Sequence, residues 1–243
     1  MFLIENTKYY LNHYKKIIEK NLQKKLRKVP DPILAITVFR LIKNLENKKV
    51  LDYGSGDGVN SVFLQKYYKF SLSLFDINPL SYVCAKKNFN LHGVTHDKFK
   101  FLKNSYVTYK KYKNKTVINK KRERESISVS PQGEILDSPK FHFIFCLNSL
   151  YYFKNKKFFY QNIEFFFDKL YSNGFLLFNV PFKNKHHSAT SVLKFSEKEL
   201  ENYLKNFKFK YYAIGGYSDL YNIKKKKSAS IQYPRYHYIL IKK

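Results

Sequence analysis

The residues from Val50 to Gly58 constrain the fold more than any other part of this chain. Val50 and Leu51 open an apolar, strand-forming run, and Asp52 and Tyr53 lead directly into Gly-Ser-Gly-Asp-Gly. Glycines at alternate positions allow the backbone to turn sharply, to adopt positive φ angles and to approach a ligand closely. Because a helix-forming segment follows at once, the sequence predicts a buried strand, a glycine loop and a helix that cradle a nucleotide-like cofactor.

The spacing of the glycines separates two classes of cofactor loop. A dinucleotide-binding loop has Gly-x-Gly-x-x-Gly, which would require a glycine at the position where Val59 stands. This chain instead has Gly54, Gly56 and Gly58 after the acidic Asp52. The Gly-x-Gly-x-Gly pattern after an acidic strand end resembles the S-adenosylmethionine loop of class I methyltransferases.

A second strand and helix follow this loop. The run 71–75 is apolar and alternating, and Asp76 closes it 18 residues after the last loop glycine. In a Rossmann-like sheet the two strand ends open on one crevice, where a carboxylate can accept hydrogen bonds from both ribose hydroxyls. Asn78 and Pro79 suit the start of a helix, and Gly93 suits its end. The run DINPLSYVCAKKNFNLHGV therefore resembles the second motif of class I methyltransferases.

The resemblance implies a set of residues that bind S-adenosylmethionine. The backbone of the glycine loop would surround the methionine part of the cofactor, and Asp52 would brace that loop or reach the amino group through water. Asp76 would hold the ribose, and Asn104, after a short third strand, would contact the adenine. The residues assigned to the cofactor are Asp52, Gly54, Ser55, Gly56, Gly58, Asp76, Ile77 and Asn104.

The acceptor side of the reaction is assigned to Asn148 and Tyr151, at the end of the fourth strand. Methyl transfer from a sulfonium is an in-line displacement of an activated methyl group, so the protein mainly aligns the acceptor and excludes water. Asn148-x-x-Tyr151 resembles the Asp-x-x-Tyr of seven-strand protein lysine methyltransferases, with the charge that would orient an ammonium removed. The segment IFCLNSLYYF also resembles small-molecule methyltransferases, and Tyr151 and Tyr152 could equally be core aromatics.

The rest of the chain completes an α/β pattern. The resemblance implies a Rossmann-like three-layer sandwich with a mostly parallel seven-stranded sheet and an antiparallel terminal strand. The sequence predicts helices over 31–45, 155–170 and 196–206, and strands over 99–102, 141–147, 175–180, 209–214 and 236–241.

Two segments lie outside this pattern. Residues 8–28 place apolar side chains on one face and lysines on the other, which predicts an amphipathic helix within 1–30 that packs on the domain edge or forms a lid. The methyltransferase domain is predicted to cover 31–243. Periodicity fails at about 105–139, which predicts a basic, disordered insertion that is either lineage-specific or a functional loop.

The amino-acid composition limits the possible binding partners and the cellular location. The formal net charge is +28, but of 46 basic residues only five are arginine, a skew typical of a low-GC genome rather than of a nucleic-acid interface. The two cysteines imply no disulfide framework, and no apolar run reaches the ~18 residues of a membrane span. His186-His187 has no third ligand at metal spacing, so no metal site is predicted. We expect a soluble protein of the cytoplasm or nucleus.

These observations give an ordered set of functions. The first is an S-adenosylmethionine-dependent methyltransferase acting on a protein side chain, lysine or another. RNA is the second acceptor, because a surface this basic attracts anionic polymers. A small molecule is the third acceptor, and a catalytically silent binding module with the same fold is the last alternative.

Overall fold

The computed structural model describes eight stretches of the chain, which are residues 30–76, 79–94, 99–101, 140–153, 155–181, 192–206, 210–214 and 236–243. The strands within them are β1 (Lys49–Tyr53), β2 (Ser71–Phe75), β3 (Phe99–Phe101), β4 (Phe141–Cys146), β5 (Leu170–Pro181), β6 (Lys210–Ile214) and β7 (Tyr236–Lys242). The α-helices are α1 (Pro32–Ile36), α2 (Val59–Tyr67), α3 (Pro79–Leu91), α4 (Lys156–Asp168) and α5 (Glu197–Asn206). A π-helix spans Thr37–Ile42, and a 3₁₀ turn spans Leu150–Tyr152.

The seven strands form one sheet in the order β3-β2-β1-β4-β5-β7-β6. The pairs β1–β2, β1–β4, β2–β3 and β4–β5 are parallel, and β7 is antiparallel to both β5 and β6. The predicted fold class is therefore confirmed, with β7 as the antiparallel strand. The strand order reverses between β1 and β4, and in open α/β sheets a ligand binds outside the carboxyl ends of the strands at such a point.

The core lies on both faces of the sheet. On one face, Leu51 of β1 and Leu176 of β5 belong to a cluster with buried side chains of α4 and α5. On the other face, Val50 and Leu177 belong to a cluster with buried side chains of α1, α2 and α3. Apolar side chains on both faces are expected for central parallel strands covered by helices. The arrangement is the predicted three-layer sandwich.

The predicted helix from Asp31 through Leu45 is wrong in its second half. Asp31 caps α1 as expected, because its Oδ1 accepts hydrogen bonds from two backbone N–H groups of the first turn. The chain then widens into a π-helix, whose end is marked by the bond from the Lys43 N–H to the Val38 carbonyl, 2.7 Å long. Lys43 has a φ of 67°, which stops the helix. The β-branched run that begins at Ile36 weakens a regular α-helix here.

The other element boundaries follow the predictions closely, with one exception. β2 has the predicted bounds, but β5 begins at Leu170, five residues before the predicted start, and its register with β4 shifts between Phe141 and Phe143. The predicted amphipathic helix (8–28) and insertion (105–139) lie outside the described residues, so the division into 1–30 and 31–243 stays a prediction. Within the described stretches, no helix has both the length and the apolarity to cross a membrane.

Candidate active site

The glycine loop turns through the left-handed region of backbone space. Gly54, Gly56 and Gly58 have φ angles of 77°, 55° and 71°. A Cβ added to Gly54 would lie 2.3 Å from the Cβ of Ser149, the third residue after Cys146 at the end of β4. The first glycine is therefore required by both its conformation and its neighbour. The loop and the segment after β4 are in direct contact at the reversal point of the sheet.

The loop is tied to the carboxyl end of β2. The N–H groups of Gly54 and Ser55 both donate to the Phe75 carbonyl, over 2.7 and 3.0 Å. The next donor, the N–H of Gly56, is 2.7 Å from Oδ2 of Asp76, whose side chain is fully buried. The structure thus brings Asp76 and the loop together, as the spacing of the two motifs implies, and Asp76 fixes the shape of the loop.

Asp52 lies beneath the loop, on β1. Its Oδ2 accepts a hydrogen bond of 2.6 Å from the Ser61 hydroxyl of α2, and its side chain is 3% exposed. Burial raises the pKa of Asp52 to about 8; the Ser61 bond opposes the rise, and the charges of Asp76 and Asp57 add to it. Because a charged carboxyl in such a place needs a compensating cation, the site favours a positively charged ligand.

Helix α3 holds the far side of the loop. A Cβ added to Gly58 would lie 3.0 Å from the Phe89 ring and 3.1 Å from the Ala85 Cβ. The Asn88 side chain donates a 3.0 Å hydrogen bond to the Asp57 carbonyl. The hydroxyl of Ser55 is buried and has no hydrogen-bond partner among the described residues. A buried polar group without a partner calls for an explanation, and a bound ligand is one.

On the acceptor side, Asn148 is exposed and held in a left-handed conformation with φ 56°. Its backbone N–H donates to Oδ1 of Asn179 on β5, over 2.7 Å. In return, Nδ2 of Asn179 donates to Oδ1 of Asn148 over 3.0 Å. The neighbouring Ser149 hydroxyl donates to the Tyr53 carbonyl at the end of β1. These bonds fix the acceptor-side segment beside the glycine loop.

Tyr151 is a buried aromatic, with 4% exposure. Its ring centroid lies 4.7 Å from that of Tyr152 and 5.9 Å from that of Tyr236, the first residue of β7. Its hydroxyl is 3.4 Å from Oδ1 of Asn148. Burial raises the pKa of Tyr151 well above its ordinary value, so this phenol is neutral and unsuited to act as a base. Of the two predicted acceptor-side residues, only Asn148 is open to a substrate.

Two of the residues assigned to the cofactor, Ile77 and Asn104, lie outside the described stretches. Conversely, the structure adds residues that sequence reasoning missed, among them Ser61 and Asn179. Asn179 carried a usable signal, because it is the one polar side chain in the apolar run 175–181. Ser61 carried no such signal, because a serine in the first turns of a helix is common in protein sequences.

Comparison with known proteins identifies the family. A family model described as a methyltransferase domain matches residues 19–214. The chain belongs to this methyltransferase family. The prediction of an S-adenosylmethionine-dependent methyltransferase is thereby confirmed, whereas the acceptor is not established. No curated protein matches the sequence significantly.

Solved structures share the fold at low identity. TehB from Haemophilus influenzae is 14% identical with a TM-score of 0.57, and the match covers 92% of this chain and 65% of TehB. Magnesium protoporphyrin IX methyltransferase from Synechocystis PCC 6803, solved with bound SAH, is 13% identical with a TM-score of 0.56, over 88% of this chain and 81% of that one. A SAM-dependent methyltransferase from Aquifex aeolicus is 14% identical with a TM-score of 0.52, over 96% and 97%.

Proposed function

We propose that this methyltransferase binds S-adenosylmethionine at the glycine loop and transfers its methyl group to an acceptor lying against Asn148. The observation that carries the proposal is the glycine loop held between two buried carboxyls, Asp76, which accepts the Gly56 N–H, and Asp52, which accepts the Ser61 hydroxyl. S-adenosylmethionine carries a sulfonium and an ammonium, and both cations are stabilised by nearby negative charge. The orphaned hydroxyl of Ser55 adds a polar group for the ligand to engage.

Each cofactor-side residue has a distinct proposed part. The cofactor supplies a methyl group that is already activated. The residues of this chain therefore align the acceptor with that methyl group and exclude water. Asp52 balances the positive charge from beneath the loop, and Asp76 keeps the loop in shape through Gly56. In this proposal Asp76 also holds the ribose, and Ile77 and Asn104 contact the cofactor.

For the acceptor, the sequence favours a protein side chain through Asn148-x-x-Tyr151. A specific observation favours a small molecule as the second candidate. Tyr151 is buried and its hydroxyl faces Asn148, so the pair does not offer two accessible groups to grip a lysine side chain. RNA is the alternative drawn from the basic charge, and the insertion on which it depends lies outside the described residues.

A labelling experiment separates these acceptors. The full chain is incubated with S-adenosylmethionine labelled in the methyl group and with an extract of the source cells, and the products are divided by size. Protease-released label indicates a protein, RNase-released label indicates RNA, and label that passes an ultrafilter untreated indicates a small molecule. Asp76→Ala serves as the control for cofactor-dependent transfer. Absence of transfer to every fraction would contradict the proposed function.

A further inference from the structure

The side-chain amide of Asn148 has only one orientation that satisfies its neighbours. The backbone N–H of Asn148 can only donate, so the atom of Asn179 that receives this bond must be Oδ1. The other end of the Asn179 amide is then Nδ2, a donor, and the atom of Asn148 that meets it must be Oδ1. The Tyr151 hydroxyl donates to the same oxygen. The oxygen of Asn148 is therefore occupied from within the protein.

The end of the Asn148 amide that is left open is consequently its Nδ2, with two N–H donors, on a residue that is exposed. Among the described residues, its side chain bonds only with Asn179 and Tyr151, and neither engages Nδ2. A donor recognises an oxygen lone pair and does not recognise the N–H groups of an amine. A protonated amine would also have to lose a proton before it attacks, and the nearby carboxyls of Asp52 and Asp76 are buried, 3% and 0% exposed.

We propose that the methyl acceptor is a carboxylate, whose attacking oxygen is oriented by Nδ2 of Asn148, with Asn179 as the positioning residue that fixes this donor. The inference rests on the proposed function and deepens it. A carboxylate is already deprotonated at neutral pH, so no base is required. The oxygen lone pair forms the new O–CH₃ bond as the S–CH₃ bond breaks. The anion becomes a neutral methyl ester and the sulfonium becomes a neutral thioether, so no proton moves.

The charge of the whole molecule agrees with an anionic acceptor. A formal net charge of +28 attracts anions to the surface and raises their local concentration at a cleft. The carboxylate could belong to a small molecule or to a protein, and the experiment below separates these sources.

The test uses the chemistry of the product bond. The full chain is incubated with methyl-labelled S-adenosylmethionine and, separately, with the desalted protein fraction and the small-molecule filtrate of a source-cell extract. A methyl ester releases volatile labelled methanol in mild alkali, whereas N-methyl groups keep their label. We expect most of the transferred label to be released by alkali in one of the two fractions, and the fraction concerned identifies the source of the carboxylate.

Asn148→Asp tests the donor directly. The aspartate can still accept from Asn179 and Tyr151, but it presents an anion where the donor stood. We expect the alkali-released label to fall at least tenfold, while binding of S-adenosylhomocysteine, measured by calorimetry, stays within threefold of the wild-type value. Alkali-stable label, or an Asn148→Asp variant that still forms the ester at the wild-type rate, would overturn the inference and leave the proposed function intact. Absence of any transferred label would contradict the proposed function itself.

Asn179→Asp tests the positioning role. The new carboxylate still accepts from the Asn148 backbone N–H, but it turns the Asn148 amide so that its oxygen faces the acceptor. We expect the acceptor-fraction concentration at half-maximal rate to rise at least fivefold, with a smaller change in the maximal rate. Asn162→Asp is the matched control, because Asn162 is a buried asparagine on α4, hydrogen-bonded to the Phe158 carbonyl. An equal effect of both substitutions on that concentration would mean that Asn179 has only a structural role.

Discussion

Replacing Asp52 by asparagine should change the pH dependence of stability in a calculable way. The pKa of Asp52 is about 8 in the folded protein against 3.8 for an unperturbed aspartate, chiefly because the carboxyl is buried. Between these two values the folded state binds a proton that the unfolded state has released. The free energy of unfolding therefore falls as the pH rises through this window, and the loss is complete above the folded pKa.

The size of the effect follows from the pKa alone. Below pH 8 the slope is about 1.36 kcal/mol per pH unit, and it halves at the folded pKa, so Asp52 removes about 1.6 kcal/mol of stability between pH 6.5 and 8. Burial lowers the pKa of His142 and His237, so their titration raises stability over this interval, equally in the wild type and in Asp52→Asn, and it cancels in the comparison of the two proteins. With a urea m-value of about 2.5 kcal/mol/M, the contribution of Asp52 to the wild-type midpoint should fall by about 0.6 M.

The assay is urea unfolding of wild type and Asp52→Asn, followed by circular dichroism at pH 6.5 and 8. Asparagine keeps an oxygen that accepts the hydrogen bond from the Ser61 hydroxyl, and it does not ionise. Between pH 6.5 and 8 the urea midpoint of Asp52→Asn should therefore fall by about 0.6 M less than the wild-type midpoint. The variant should also be the more stable protein at pH 8. Equal pH dependence in the two proteins would refute the reasoning that a buried, largely protonated Asp52 lies beneath the loop.

Other predictions concern the same loop. Gly54→Ala places a Cβ 2.3 Å from that of Ser149 at a φ of 77°, and it should cost about 2–4 kcal/mol of stability and lower S-adenosylhomocysteine affinity at least tenfold. Gly93→Ala, at a φ of 67° with nothing within 4 Å, should cost about 1 kcal/mol and leave affinity unchanged; equal losses in both variants would contradict the packing argument. Binding of S-adenosylmethionine at pH 7 should release close to one proton from Asp52, because a cation lowers its pKa. Calorimetry in buffers of different ionisation enthalpy measures this, and zero proton release would show that Asp52 does not respond to the cofactor.

The parts of the fold that follow from local rules could be predicted from the sequence. β2 has its predicted bounds because an alternating apolar run ends at an acid, and Gly93 ends α3 in a left-handed conformation. The π-helix after α1 could not be predicted, because the choice between α and π geometry depends on which side chains the core accepts. Helix propensities alone favour neither continuation strongly enough to show the widening before Lys43.

The candidate site also has features that could be predicted from the sequence and features that could not. The loop glycines and Asp76 were found because backbone conformation and strand spacing leave a mark in the sequence. The partner of Asn148 was not found, since Asn179 is 31 residues away and the two meet only through the pairing of β4 and β5. The orientation of the Asn148 amide, on which the acceptor inference depends, is thus a property of the sheet and not of the Asn148-x-x-Tyr151 pattern.

Titration calorimetry with S-adenosylhomocysteine tests the central claim most directly. We expect saturable, one-to-one binding to the wild-type protein and an affinity at least tenfold lower for Asp76→Ala, which removes the acceptor of the Gly56 N–H bond beside the loop. Circular dichroism establishes that both proteins are folded. A folded wild-type protein that does not bind S-adenosylhomocysteine, or an Asp76→Ala variant that binds it as tightly as the wild type, would contradict the assignment of this loop as the cofactor site.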